Sequence, residues 1–247
     1  MKFTSATASL STMGTLLDVT VYGFPISTFA NIVRLVLTEK GVRFNFHDLE
    51  PEMGGPTHLA LHPFNRVPVL THGDFTLYET AAIVSYIDDV FEGAPLTPKE
   101  PRARARMVQW IGAVNSYYYP YFSYHLAHER IIFPALGVAP DEKVVAAALP
   151  KVATALEVLE RELADGRQFI VGDQLTLADF YMTPTLTGLG FTPEGAEMLR
   201  SRPAINAWRA RMDALPSVQA VRAMVAPHIG KPVEHARSWV TSHRPRY

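Results

Sequence analysis

The feature that most constrains this fold is an apolar strand that begins on a proline, within the stretch FNRVPVL of residues 64–70. The chain then turns, returns through residues 75–77, and opens a helix at Glu79 and Thr80. Because proline cannot donate to a strand ladder, Pro68 indicates a bend at the strand's first residue, and X-Pro bonds are where cis peptides occur. A freed strand edge beside a helix start with a carboxylate and a hydroxyl favours binding of a peptide-like ligand.

Composition narrows the class of protein. The 247 residues suffice for one large domain or two modest ones, and 48% hydrophobic with 19% charged residues predicts a soluble, folded chain. A net charge of -1 gives no reason to expect nucleic acid or an anionic membrane as partner. The absence of cysteine excludes disulfides, thiolate metal sites and a cysteine nucleophile. No apolar run approaches the roughly 18 residues that cross a bilayer.

The two ends of the chain differ in composition from the rest. Residues 1–15 are rich in Ser and Thr and lack acids, which predicts a disordered extension rather than a secretion signal, with a cytoplasmic location as the default. Residues 230–247 carry four Lys or Arg residues against Glu234. This C-terminal tail is either a lid over a cleft or a mobile end, and the sequence leaves both open.

The first half alternates strand and helix patterns. Residues 17–22 and 42–47 alternate apolar and polar positions, as half-buried strands do. Between them, Ser27 or Thr28 can cap a helix that stops at Gly41. A short helix, the hairpin and a closing helix follow, so the order is strand, helix, strand, short helix, strand, strand, helix. This order over about 80 residues predicts an α/β thioredoxin-like domain.

The second half reads as helical almost throughout. Residues 93–101 are rich in proline and form a linker, after which helix patterns start near Arg102, over residues 141–164, and again near Arg202. Thr176 with Asp179 resembles a capping box, so we assign both to folding rather than catalysis. An all-α helical bundle is therefore predicted for this half.

Four motifs together resemble the cytosolic glutathione S-transferases, with the serine-type classes that include phi as the nearest match. They are GFPIS (23–27) ahead of RLVLTEKG (34–41), then HPFNRVPVL (62–70) and YETAAI (78–83). Each motif is weak alone, and their order and spacing make the match specific. The resemblance covers residues 17–225. Residue patterns and the resemblance together predict this division: extension 1–15, glutathione-binding domain 16–92, linker 93–101, helical substrate-binding domain 102–229 and tail 230–247.

The resemblance implies a glutathione transferase that joins the thiolate of glutathione to a small apolar electrophile, with no covalent enzyme intermediate, and a homodimer active in detoxification. A free thiol has a pKa of about 8.5, so the protein must stabilise the thiolate. Ser27 takes the position of the family's thiolate-stabilising serine. Two alternatives stay open: Ser27 is only a helix cap, or Thr28 has the catalytic role.

The same resemblance implies the residues that hold glutathione. Val67, before Pro68, offers its backbone to the cysteinyl part, Glu79 holds the amine, and Thr80 with its helix N-terminus takes the adjacent carboxylate. A helix cap explains Glu79 and Thr80 equally well. The loop of residues 50–58 departs from the family pattern, because it has two acids and no Lys or Arg. Only two residues are then left for the glycyl carboxylate: Arg66 and His58.

The aromatic run YYYPYFSY of residues 117–124 is the candidate wall of the electrophile pocket, where Pro120 forces a kink or break in the helix. The predicted pocket residues are Phe24, Tyr117, Tyr118, Tyr121, Phe122 and Tyr124. For any one of them, an ordinary place in the core is the alternative. His125 and His128 have a spacing that a metal can use, but no third ligand lies nearby, so no metal is expected.

Other functions remain open at this stage. A protein of this fold that binds glutathione or another ligand without turnover is the alternative from a different class. Among enzymes, peroxide reduction, isomerisation and ether cleavage also use the ligand's own thiol. The absence of cysteine argues against the thiol-transfer branch of the family.

Overall fold

The computed structural model describes residues 18–231, residue 233 and residues 237–242. The predicted extension over residues 1–15 lies outside these residues, as do residues 232, 234–236 and 243–247 of the tail. Within the described part, no helix is both long and apolar enough to cross a membrane.

The first unit is a four-stranded mixed sheet in the order β2-β1-β3-β4. Its strands are β1 (Val19–Gly23), β2 (Asn45–Asp48), β3 (Val69–His72) and β4 (Phe75–Tyr78), and its helices are α1 (Thr28–Glu39), α2 (Pro56–Leu61) and α3 (Thr80–Val90). β1 pairs with β2 in parallel through the α1 crossover, and β3 pairs antiparallel with β1 and β4. The thioredoxin-like prediction for this unit is confirmed.

The second strand begins three residues later than the pattern of residues 42–47 predicts. Gly41 has a φ of 68°, and the amide of Val42 donates to the carbonyl oxygen of Leu37 at 2.9 Å. These residues therefore satisfy the last carbonyls of α1 before the chain enters the sheet. The alternation of Val42 and Phe44 reflects packing against the core rather than ladder pairing.

The second unit is helical, as predicted. It contains α4 (Pro101–Ala113), two stretches of wide π-type turns over Val114–Tyr118 and Pro120–Ile132, α5 (Phe133–Ala135), α6 (Glu142–Leu163), α7 (Leu177–Gly190), α8 (Pro193–Arg200), α9 (Pro203–Asp213), α10 (Pro216–Val225) and α11 (Arg237–Ser242). The helix does not end at Pro120. The helical path continues through Pro120 in wide turns, here called the π segment, although proline has no backbone N–H to donate and would break a regular helix.

Asp179 organises the middle of the helical unit and is fully buried. One carboxylate oxygen accepts from the amide of Ile170 and from the indole of Trp208, each at 2.9 Å. The other accepts from the amide and hydroxyl of Thr176 at 2.9 and 3.0 Å, which completes a capping box. The assignment of Thr176 and Asp179 to folding is confirmed.

A buried ion pair attaches the linker to the first unit. The Lys40 ammonium lies 3.0 Å from the Asp88 carboxylate, and both side chains are almost wholly buried. The same carboxylate accepts from the amides of Leu96 and Thr97 at 3.0 and 2.9 Å. Burial alone would raise the pKa of Asp88, but the hydrogen bonds from Leu96, Lys40 and Thr97 outweigh burial and lower it.

We expect Asp88→Asn to lower the free energy of unfolding by about 3 kcal/mol at neutral pH, because it leaves the Lys40 charge buried without its partner. Since the folded-state pKa of Asp88 is depressed, its stabilisation is present above the unfolded pKa of about 4 and is lost as pH falls through the folded value. The difference between variant and parent should therefore shrink in acid. Urea unfolding measures both effects. The matched control is Asp89→Asn, at the exposed neighbouring position; an equal loss there would contradict the prediction.

Candidate active site

A cavity of about 1280 Å³ lies between the two units. The N-termini of α1 and α3 and the bent strand form one wall, and the π segment, α5 and α7 form the other. Val233 and Val240 of the tail also line it and pack in one apolar cluster with Phe24 and Phe133. This position of the described tail residues favours the lid interpretation.

Ser27 is the N-cap of α1 and lines the cavity. Its hydroxyl oxygen accepts from the amide of Ala30 at 3.3 Å, and no described residue accepts its hydroxyl proton. The cap and the proposed catalytic role are thus compatible, since the cap uses the oxygen and leaves the proton free. Thr28 also lines the cavity but has no comparable bond within the described chain. The helix terminus adds a partial positive charge beside both hydroxyls.

The loop before Ser27 is held by two buried polar residues of α1. The carbonyl oxygen of Pro25 accepts from the Asn31 amide at 3.3 Å and from the Arg34 guanidinium at 3.2 Å. The guanidinium carbon of Arg34 lies 4.5 Å from the centre of the Phe46 ring. Because α1 carries these donors, the position of the loop follows from the position of the helix.

The bent strand presents backbone groups to the cavity. The Val67-Pro68 peptide bond is cis, and both residues line the cavity. Within the described chain, neither the N–H nor the C=O of Val67 has a hydrogen-bond partner. An extended peptide can pair with these groups as an added strand does.

The N-terminus of α3 reaches the cavity without a side-chain cap. Glu79 occupies the N-cap position with a φ of 71° and makes no capping bond, so the simple helix-cap interpretation of Glu79 is wrong. Non-glycine residues rarely adopt this φ, and such strain is common at functional sites. Thr80 is buried at the first helical position. Since no acid lies in the first turn, the free N–H groups form a potential anion site.

His58 does not take part in the cavity, which corrects the sequence-based prediction. It is fully buried, and its Nδ1 accepts from the amide of Gly54 at 3.2 Å while its Nε2 donates to the carbonyl of Arg66 at 2.8 Å. Both ring nitrogens are therefore used within the protein. His58 supports the Arg66 backbone and is not available to a carboxylate.

Arg66 is exposed on the wall of the cavity and forms a side-chain hydrogen bond to Tyr124 of the helical unit. Of the acids in the preceding loop, Glu52 pairs with His47 at 2.7 Å. The bond between Arg66 and Tyr124 joins the two walls of the cavity at the bent strand.

The predicted aromatic pocket is only partly correct. Phe24 and Tyr124 line the cavity. Four of the predicted residues do not: Tyr117 is 65% exposed, Tyr118 is buried with its hydroxyl donating to Ala155 at 2.9 Å, and Tyr121 and Phe122 pack in the core. These four are ordinary surface or core residues, because they lie on other faces of the segment.

The residues that line this wall recur at intervals of four: Tyr119, Ser123, Ala127, Ile131 and Ala135, with Pro120, Tyr124, His128 and Ile132 beside them. Wide turns hold more residues per turn than 3.6, so positions four apart remain on one face. Sequence reasoning with the ordinary helical period missed Tyr119 and His128. No local signal marked them, because a spacing of four residues fits an ordinary helix and wide turns alike.

Both missed residues are uncharged at neutral pH. Burial raises the pKa of Tyr119 to about 12. Burial, aided by the neighbouring His125, lowers the pKa of His128 to about 4. The His62 ring also lines the cavity and contacts the Tyr78 ring, with centroids 4.8 Å apart and planes tilted by 36°; burial lowers the pKa of His62.

Two family models match this chain. One describes the N-terminal domain of glutathione S-transferases and covers residues 21–95, and the other describes their C-terminal domain and covers residues 110–216. The chain belongs to the glutathione S-transferase family. Within the family, it is 34% identical to glutathione S-transferase 3 of Zea mays, over 83% of this chain and 93% of the relative. Glutathione S-transferase F10 of Arabidopsis thaliana is 33% identical over 73% and 86% of the two chains.

Solved glutathione S-transferases share the fold. Apo glutathione S-transferase III has a TM-score of 0.77 at 33% identity, over 84% of this chain and 96% of that one. Glutathione S-transferase I from maize, in complex with an atrazine glutathione conjugate, has a TM-score of 0.76 at 30% identity, over 85% and 99% of the two chains. Both units of the present chain therefore follow the family's arrangement.

We expect His58→Leu to lower the free energy of unfolding by about 2 kcal/mol, because it removes the two hydrogen bonds that the ring makes to the Gly54 amide and the Arg66 carbonyl, each worth about 1 kcal/mol. Thermal or urea unfolding measures the loss. His47→Leu is the control, since His47 pairs with Glu52 at a largely exposed position and should cost well under 1 kcal/mol. Equal stability of the two variants would show that His58 has no supporting role.

Proposed function

We propose that this chain is a glutathione transferase that joins the thiolate of glutathione to a small apolar electrophile. The observation that carries the proposal is that Ser27 lines the cavity with a hydroxyl whose oxygen accepts from the amide of Ala30 and whose proton has no acceptor among the described residues. The Zea mays and Arabidopsis thaliana relatives, both glutathione S-transferases, support it.

The geometry of the first wall fits a tripeptide thiol. The unpaired backbone of Val67 suits the cysteinyl residue, and the uncapped N-terminus of α3 with Glu79 suits an amino acid end that carries one amine and one carboxylate. We propose that a tripeptide held by these groups has its thiol near Ser27, which lines the same cavity. The ligand supplies the sulfur nucleophile, and the protein supplies its orientation and charge stabilisation.

The drop in thiol pKa that the reaction needs determines how much free energy of thiolate stabilisation the protein must provide. Lowering a thiol pKa by about two units corresponds to about 3 kcal/mol. One hydrogen bond to a charged acceptor contributes about 1.5–3 kcal/mol, and a helix N-terminus adds up to about 1 kcal/mol. Ser27 at the N-terminus of α1 combines both. Thr28 is the weaker candidate, because no backbone bond fixes the direction of its hydroxyl.

The glycyl carboxylate is proposed to bind Arg66. His58 is engaged elsewhere and the loop before it lacks bases, so Arg66 is the cation beside the bent strand. Tyr124 positions it from the opposite wall through their side-chain hydrogen bond. The helical unit thus takes part in holding the tripeptide.

The electrophile is proposed to lie against the apolar groups of the second wall, which include Phe24, Ile131 and Ile132. The maize relative in complex with an atrazine glutathione conjugate supports a second substrate of this kind.

We further infer a homodimer that acts in cytoplasmic detoxification, which family membership supports. Light scattering that found a monomer would overturn the inference of a homodimer.

We expect Ser27→Ala to reduce kcat/KM for 1-chloro-2,4-dinitrobenzene by about 25-fold at pH 7, because a rise of the thiol pKa from about 6.5 to about 8.5 lowers the thiolate fraction from about three quarters to about 3%. The ultraviolet thiolate band of bound glutathione should shift to higher pH by the same amount. Thr28→Val is the matched control and should retain activity within a few-fold. The opposite pattern would assign the catalytic hydroxyl to Thr28.

We expect Arg66→Gln to raise KM for glutathione by about tenfold with little change in kcat, since it removes a charged partner of the glycyl carboxylate worth about 1.5 kcal/mol or more. Tyr124→Phe should have a smaller effect of the same kind. γ-Glutamylcysteine, which lacks the glycine, provides the control substrate. Its KM should be the same for parent and variants; a parallel rise would mean that Arg66 acts on the cavity in general.

A further inference from the structure

A buried positive charge lies behind the loop that leads to Ser27. Arg34 is only 4% exposed, and its side chain extends toward the N-terminus of α1. Its Nη1 donates to the carbonyl oxygen of Pro25 at 3.2 Å and to the side-chain oxygen of Asn31 at 3.0 Å. The guanidinium also lies over the Phe46 ring, and its Nε is buried without a hydrogen-bond partner. All of these partners are electrically neutral.

No carboxylate in the described part of the chain pairs with Arg34. Helix α1 packs against β1, α3, α7 and α10, and Phe46 belongs to β2. The acids of these elements have other partners or are exposed: Asp88 pairs with Lys40, Asp179 accepts from Trp208, Glu39 accepts from Ser217, Asp48 accepts from the amide of Glu50, and Glu79 and Asp89 are exposed. Burial lowers the pKa of Arg34, yet a guanidinium stays protonated at neutral pH.

A buried charge without a counter-ion is costly, so its presence calls for an explanation. A site that must hold an anion supplies one. Phe24, Ile26 and Ser27 of the loop line the cavity, whereas Arg34 does not. The loop therefore separates the guanidinium from the space proposed for the glutathione sulfur. Because water is largely excluded from this region, the field of the guanidinium is screened much less than that of a surface charge.

We propose that Arg34 is a positioning residue that holds an uncompensated positive charge behind the Ser27 loop, where it stabilises the thiolate of bound glutathione. This inference rests on the proposed function and adds a third source of thiolate stabilisation to the Ser27 hydroxyl and the N-terminus of α1. The bonds to Pro25 and Asn31 fix the guanidinium before the thiolate forms. No reorganisation is then needed when the sulfur becomes charged.

The test measures the pKa of glutathione bound to the whole protein, from its ultraviolet thiolate band. Arg34→Met removes the charge at similar volume, and Arg34→Gln removes it but keeps a neutral donor for Pro25. Both should raise the pKa of the bound thiol by about 1, because each removes a nearby positive charge. Arg34→Lys keeps the charge and should restore most of the parent's value. Two neutral variants ensure that one can be measured if the other does not fold.

S-Methylglutathione separates charge from geometry, because its sulfur has no proton to lose. Its Kd should differ by less than about twofold between the parent and the Arg34 variants. A loss of affinity for S-methylglutathione as large as the loss for glutathione would mean that Arg34 only shapes the site, and would overturn the role of its charge. Arg43→Met makes the same chemical change at an exposed position of the same unit and should leave the thiol pKa unchanged.

The failure of this inference can be told apart from the failure of the proposed function. A thiol pKa that is the same in the parent and in the neutral Arg34 variants would overturn the inference and leave the transferase proposal standing. An equal rise in Arg34→Lys would also overturn it, since that variant keeps the charge. A parent protein that neither binds glutathione nor conjugates 1-chloro-2,4-dinitrobenzene would overturn both.

Discussion

Burial of helix α1 from both sides is the constraint on which the rest of this structure depends. Eight consecutive residues, Ala30 through Leu37, are buried, so the helix has no solvent face along this length. The sheet covers one side and helices of the second unit, among them α7 and α10, cover the other. One apolar core therefore runs through both units. Because the Ser27 hydroxyl caps this helix, packing of the core positions the hydroxyl relative to both cavity walls.

A helix buried in this way must satisfy its polar side chains internally. Asn31 and Arg34 do so on the carbonyl of Pro25, and Thr38 donates to the carbonyl of Arg34 at 2.7 Å. At the other end of α1, Glu39 accepts from Ser217 of α10 at 2.5 Å, while Lys40 pairs with Asp88. The bonds to Pro25 attach the loop before Ser27 to α1, the bond to Ser217 attaches the second unit, and the pair with Asp88 attaches the linker. The polar groups that burial makes costly are thus the ones that fix the geometry of the cavity.

The two walls contribute different kinds of chemistry. The first wall offers backbone groups and helix ends, at Val67, at the start of α3 and at Ser27, which suit the fixed functional groups of a tripeptide. The second wall offers side chains on wide helical turns, apolar for the most part, with neutral donors at Tyr119 and His128. Arg66 and Tyr124 connect the two walls at the bent strand through a side-chain hydrogen bond. Backbone geometry changes little with side-chain substitution, so the second wall is where selectivity for the electrophile can vary.

The sequence by itself determined the order of strands and helices, the bend at Pro68 and the capping pair Thr176 and Asp179, because these follow from local periodicity and from backbone chemistry. It also indicated the first wall, since its groups lie at element boundaries that local signals mark. Tertiary structure alone decided that both ring nitrogens of His58 are hydrogen-bonded, one to the amide of Gly54 and one to the carbonyl of Arg66. It also decided which aromatics face the cavity, because the π segment changes the period from 3.6 toward four residues. A period set by hydrogen bonding and packing across the bundle cannot be read from the residues that it arranges.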